Sequence, residues 1–285
     1  MTSNKLAGGQ PAAAIFLHIP KTAGTTLMSI LDRQYPAESI YSFGADAHAS
    51  VAQFKAMDDE SRAKIQLLRG HMAYGLHEFL PAPAVYFTVL RDPVARVIST
   101  YNFILRTPAH YLYEAVTRQN LSLHGLLASK LPLMMNDGQV RLISGVWGEP
   151  AFGEVTEAML EKAKKNLAES FAVAGITEQF DQTLCLLKEN LKWQQAITYQ
   201  RLNVSQQGLQ ASKLPAATVD LIQHANRQDL ALYAYARNLF KEQCAQRGAL
   251  FAWRVRRFQL TNKYGPIVKR LRTYSVRTKL RSLFE

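Results

Sequence analysis

The chain reads as an α/β protein with a central parallel sheet flanked by helices, and three observations predict this. Short apolar runs at 13–18 and 85–90 have the β-branched and aromatic content of buried strands. Each strand runs directly into apolar residues at helical spacing, the signature of strand-to-helix units. Amphipathic patterns over 154–170, 178–196 and 216–245 then predict long helices to cover the sheet. At 285 residues and 48% hydrophobic content the chain has ample material for a core, and one large domain is favoured over two small ones.

The first strand, Ala12 to Leu17, leads through His-Ile-Pro-Lys-Thr-Ala-Gly-Thr-Thr (18–26) to a helix marked by Leu27, Ile30 and Leu31. This is the layout of an anion cradle. Backbone amides at a helix N-terminus attract anions, and Gly24 permits close approach. Lys21 adds charge, and Thr22, Thr25 and Thr26 add hydroxyl donors. The common nucleoside-triphosphate loop, G-x-x-x-x-G-K-[ST], carries its lysine late, whereas Lys21 directly follows Pro20 and precedes Gly24 by three residues. A phosphate-like ligand is expected, and a standard ATPase or kinase loop is a poor fit.

The second strand, Val85 to Leu90, runs into Arg91-Asp92-Pro93. Asp92 is a natural N-cap and Pro93 a natural first helical residue, so a helix is predicted through about Phe103. Arg91 then stands at the carboxyl end of a strand, where open α/β sheets bind ligands. Arg96 and Ser99 share a helix face. Arg91 and Ser99 are placed to converge on one anion, the arginine by a charge-assisted fork and the serine by its hydroxyl.

Between Pro132 and Pro150, Gly138, Gly145 and Gly148 predict irregular structure. Cys185 and Cys244 fall in predicted helices without motif spacing and read as buried thiols of a reducing compartment. No signal peptide or membrane span is visible, and no histidine or cysteine arrangement points to a metal. The net charge of +12 is concentrated at one end: residues 254–285 hold ten Lys or Arg and one acid, about +9. Their apolar neighbours predict amphipathic helices around a break at Gly265-Pro266. This extension reads either as a solvated helix packed on the core or as a surface for anionic lipid or glycan. Nucleic acid is not expected, because no recognition fold or stacking module is present.

The two junctions together resemble the sulfotransferases that use 3′-phosphoadenosine 5′-phosphosulfate (PAPS), within their carbohydrate branch, which includes heparan sulfate 2-O-sulfotransferase and bacterial relatives. I-P-K-T-A-G-T-T at 19–26 is similar to that family's 5′-phosphosulfate loop, and R-D-P-V-A-R-V-I-S-T-Y at 91–101 to its 3′-phosphate motif. Looser likenesses run over roughly 13–245, through Asn136, Gln139, Arg141 and Gly145, then Gly175 to Glu178, and Asn226, Asp229, Leu232 and Tyr233. The resemblance implies a P-loop nucleotide-hydrolase-like fold and a sulfotransferase domain over 1–253, with 254–285 as a basic amphipathic extension. It implies PAPS as donor, held by Pro20, Lys21, Thr22, Ala23, Gly24, Thr25 and Thr26 at one end and by Arg91 and Ser99 at the other, without a required metal. Catalysis would fall to Lys21 and to His71 as general base, within Arg69-Gly70-His71 and Tyr74. His18 competes for the base role and reads as a packing or orienting residue. The eukaryotic 2-O-sulfotransferase carries a second histidine where this chain has Arg69.

The implied acceptor is a carbohydrate or glycolipid hydroxyl. The lack of an anchor is expected of a bacterial, cytoplasmic enzyme, membrane-peripheral if the tail holds lipid, or of an anchor-deleted form. Two other readings stand beside this one: a small-molecule kinase using Asp92 for magnesium, and a non-enzymatic protein that binds polyanions or membranes through its tail.

Overall fold

The computed structural model describes residues 13–44, 46–146, 148, 150–199 and 208–281, with side chains described as far as Tyr264. In chain order the elements are β1 (Ala13–Leu17), α1 (Gly24–Leu31), β2 (Ile40–Ser42), α2 (Ala47–Ala56), α3 (Asp59–Ala63), β3 (Leu67–Gly70), β4 (Ala84–Leu90) and α4 (Pro93–Arg106). There follow α5 (Tyr113–Arg118), α6 (Leu123–Ala128), α7 (Gly138–Ser144), α8 (Glu157–Ser170), β5 (Phe171–Ile176), α9 (Phe180–Asn190), α10 (Ala216–Ala225), α11 (Arg227–Ala245) and α12 (Gly248–Arg281).

The five strands form one sheet in the order β2-β3-β1-β4-β5, and every pairing is parallel. All strands therefore end at the same edge, which gathers the loops after β1, β3, β4 and β5. From β1 the chain moves to one side for β2 and β3, then to the other for β4. This puts a topological switch point beside β1, where sheets of this kind open a crevice. Every residue of β1 and β5 is buried, as expected of strands covered on both faces. The main core lies on the sheet, around Phe16, Phe87, Leu90 and Val173. A second cluster, with Val97, Tyr101, Leu126 and Ile222, joins α4, α5, α6 and α10.

The two predicted strands and the Asp92-capped helix are present, and α4 runs three residues further than expected. The helix expected over 178–196 stops at Asn190. Lys192 turns left-handed at φ 54°, and the amide of Trp193 bonds back to the Lys188 carbonyl at 3.1 Å. That turn sends Trp193 into the core, edge-on to Phe87. The helix expected over 216–245 is two helices, because Asn226 leaves helical geometry to bond Ile222, Met135 and Asp137. Irregular structure was expected over 132–150, yet α7 forms there and all seven of its residues are buried. Polar partners from α11 make that helix possible, as described below. The break expected at Gly265-Pro266 is absent, and the backbone of α12 is helical from 248 to 281. Propagating an established helix is easier than starting one, and the Lys, Arg and Leu residues on either side favour it.

Candidate anion site at the switch point

The β1–α1 loop is held in strained geometry. Lys21 and Ala23 both take left-handed backbone conformations, at φ 69° and 67°, which side chains larger than glycine rarely adopt and which cluster at functional sites. The Thr22 hydroxyl donates to the Ile19 carbonyl at 2.8 Å and is fully buried. Thr22 therefore staples the loop, and the expectation that its hydroxyl faces a ligand is corrected. Ala23 is the N-cap of α1 and supplies no side-chain cap. The first amides of α1 are consequently left for an external acceptor. Thr25 is exposed and Thr26 half-buried at this opening.

His18 explains the glycine. A Cβ built on Gly24 would lie 1.6 Å from His18 Nε2, so the imidazole occupies the space that any larger residue would need. Register then places a second imidazole beside it. Leu17 pairs with Gly70, and the His18 amide bonds the Gly70 carbonyl at 3.0 Å, so His18 and His71 leave adjacent strands side by side. Their rings stack with centroids 4.3 Å apart. His71 Nδ1 lies 2.8 Å from the His18 carbonyl. A carbonyl only accepts, so Nδ1 carries the proton and the neutral ring keeps its lone pair on Nε2. Burial lowers the pKa of His71, while the bond to the His18 carbonyl opposes that shift. Burial, then the His71 and Lys21 charges, bring His18 down to about 3, which keeps it neutral.

Arg69 does not stand in for a second imidazole. It pairs with Asp32 at 2.6 Å and bonds Ser42 and the Met28 carbonyl, tying β3 to β2 and α1. Tyr74 is likewise a packing residue, bonded to Ser170 and set against Tyr86.

The Lys21 ammonium rests over the Phe103 ring, 4.0 Å from its centroid. Burial lowers its pKa to about 8, assisted by the Arg106 and Arg91 charges. Arg91 joins the two predicted motifs directly, because its guanidinium donates to the Lys21 carbonyl at 3.0 Å. Its own backbone is clamped at both polar atoms by the side chain of Gln139: the Arg91 amide donates to Oε1, and Nε2 donates to the Arg91 carbonyl, each at 3.0 Å. Asp92 uses Oδ1 to cap α4 at the Ala95 amide, and its own amide donates to Glu178 in the turn that follows β5. Ser99 is half-buried on α4 and its hydroxyl has no protein partner among the described residues. Arg96, expected to share its face, instead points into the core, where it meets Asp229.

Behind Arg91 lies a buried polar network that sequence reasoning did not assemble. Asp229 accepts from the amides of Gln139 (3.1 Å) and Val140 (2.8 Å) and from Arg96 (3.2 Å). Its own amide donates to Asp137 at 2.7 Å. Arg141, fully buried, binds Asn136 through both its backbone and side-chain oxygens, and reaches the Pro150 and Ala151 carbonyls. Their signal in the sequence is the density of polar residues around Gly138, which reads as a loop without the partners on α11.

Among the described residues no group of three or more His, Cys, Asp or Glu is placed to hold a metal ion, and no helix is long and apolar enough to cross a membrane. Cys185 and Cys244 are free thiols, half-buried where full burial was expected. Burial pushes the Cys185 thiol up to about 12.

A parallel sheet with a strand–loop–helix junction, a lysine and an arginine at its switch point has the layout of an α/β protein of the phosphate-loop type. The chain belongs to the sulfotransferase family, whose model matches residues 12–236. Galactose-3-O-sulfotransferase 2 of Mus musculus is 24% identical over 249 residues, covering 79% of this chain and 61% of that protein. Uronyl 2-sulfotransferase of Mus musculus is 30% identical over 120 residues, 38% of this chain and 28% of its own length. A protein-tyrosine sulfotransferase of Arabidopsis thaliana is 33% identical over 98 residues, 34% of this chain and 18% of that protein. The chain spans about three fifths of the galactose-specific relative. These mouse and plant relatives give the expectation of a bacterial source no support.

Proposed function

We propose that the protein transfers the sulfuryl group of PAPS to a hydroxyl of a carbohydrate or glycolipid and releases 3′-phosphoadenosine 5′-phosphate (PAP). The observation that carries this reading is the contact between the two motifs: the Arg91 guanidinium on the Lys21 carbonyl, beside an uncapped α1 N-terminus and the His71 imidazole. The free amides of α1 and Gly24 suit a tetrahedral anion. Lys21 leaves Phe103 to neutralise charge on the leaving phosphate oxygen, and Arg91 with the unpartnered Ser99 hydroxyl takes the 3′-phosphate. The bond from sulfur to the phosphate oxygen breaks as a bond from sulfur to the acceptor oxygen forms. His71 Nε2 receives the acceptor's proton.

His110, which feels the Lys21 charge, carries Tyr111 stacked on it at 4.7 Å; Tyr111 is 73% exposed, an aromatic face of the kind that sugar rings pack against. The kinase reading loses its best residue, because Asp92 Oδ1 is engaged in capping α4.

The test is transfer of labelled sulfate from PAPS to glycans, glycolipids and tyrosine peptides. His71→Ala is expected to lower turnover by about a hundredfold to ten-thousandfold while PAP affinity stays near that of the wild type. Unchanged turnover, or stabilisation by Mg-ATP in place of PAP, overturns the reading.

A further inference from the structure

Helix α12 carries two faces with opposite fates. Phe251 and Val255 are buried against the body of the protein, Arg254 pairs with Glu189 at 2.7 Å, and Asn262 accepts from the Tyr199 amide. Leu250, Trp253, Leu260 and Tyr264 are instead 47% to 59% exposed. At about 100° per residue these four fall within about 80° of arc, roughly opposite the buried pair. They form a single apolar strip, with an aromatic residue near each end.

The charges around the strip are all of one sign. Arg257 lies within it and sits over Trp253, and Lys263 sits over Tyr264. Arg256 borders it. None of these three is in an ion pair among the described residues, and the sequence from 248 to 284 contains no Asp or Glu. An apolar strip of this kind invites either a second copy of the helix or a lipid surface. Two copies would bring cations together with no acid to answer them, which opposes a helix pair. An anionic bilayer answers the charge and accepts the strip. Tryptophan and tyrosine are favoured where one end of a side chain is apolar and the other wet, as at a headgroup boundary.

We infer that α12 is an interfacial helix: it lies on an anionic lipid surface with Leu250, Trp253, Leu260 and Tyr264 inserted and the bordering Lys and Arg at headgroup level. This does not depend on the transfer reaction proposed above.

The experiment uses the full chain and sedimentation with phosphatidylcholine vesicles, with or without about 30% phosphatidylserine. Wild type is expected to bind the anionic vesicles at least about tenfold better than the neutral ones, and to be released by salt near 0.5 M. Trp253→Ser with Leu260→Ser should lose about tenfold or more of that binding while melting at the wild-type temperature, since both side chains are exposed. Heparin serves as a lipid-free polyanion, and its binding should survive the double substitution. Failure to bind anionic vesicles overturns the inference. So does equal binding of wild type and the double variant, or a strip whose loss changes only the oligomeric state in solution.

Discussion

The N-termini of α1 and α7 pose the same problem and solve it differently. Each helix begins after a left-handed residue, Ala23 at φ 67° and Asp137 at φ 47°, and neither of these residues caps the helix with its own side chain. At α7 the missing acceptor comes from within the protein, as the Asp229 carboxylate bonds two amides and is balanced by Arg96. At α1 no side chain among the described residues fills that role, and the nearby charges, Lys21 and Arg91, are positive. The difference teaches that an uncapped helix start is a ligand site only where the fold has declined to supply its own anion. Burial selects between the outcomes: Asp229 is fully enclosed, whereas Thr25 at the α1 opening is exposed.

Removing the internal anion should have the largest effect. Asp229→Asn leaves Arg96 buried without its countercharge, and a loss of about 3 to 5 kcal/mol is expected in urea unfolding. A loss below about 1 kcal/mol would mean that α7 does not need the carboxylate. At α1, Gly24→Ala places a methyl group on His18 and should cost about 1 to 3 kcal/mol through overpacking. PAP affinity should fall about tenfold or more as the cradle shifts, and calorimetry showing normal affinity would break the view that His18 and Gly24 interlock.

A smaller effect follows from the Lys21 ammonium. With its pKa near 8 in the free protein, the lysine is charged below that pH, and an anion bound beside it raises the value. PAP affinity should therefore be level below pH 8 and fall by up to about tenfold per unit above it. Lys21→Ala should remove that slope, and a slope unchanged by the substitution would place the titration elsewhere. The smallest change separates the two caps. Ala23→Gly relieves left-handed strain and should be neutral to stabilising by about 1 kcal/mol. Asp137→Gly, which also removes the acceptor of the Asp229 amide, should destabilise. Equal thermal shifts for both would erase the distinction.

Two of the five strands, and the helix starts that follow them, were readable from local patterns. The runs at 13–18 and 85–90 and the Asp92-Pro93 cap are contiguous signals, and they define β1, β4 and α4. The network behind Arg91 was not readable, because it joins residues about 90 positions apart, such as Asp229 and Val140, and their local sequence favours a loop. The same limit applied to the histidines. Arg69 stood out as a substitution within one strand, while the imidazole beside His71 comes from β1 and is found only through the register Leu17 to Gly70.

The resting position of Lys21 over Phe103 has a consequence for selectivity. A cation held on an aromatic face gains on the order of 1 kcal/mol and must give that up to meet a ligand. Small anions that touch only the α1 amides leave the lysine parked and bind without its help. A ligand with enough charge at the right height draws it across and gains a further partner. On the proposed binding of PAPS, Phe103 would therefore act as a threshold, discriminating against small anions without contacting the ligand itself.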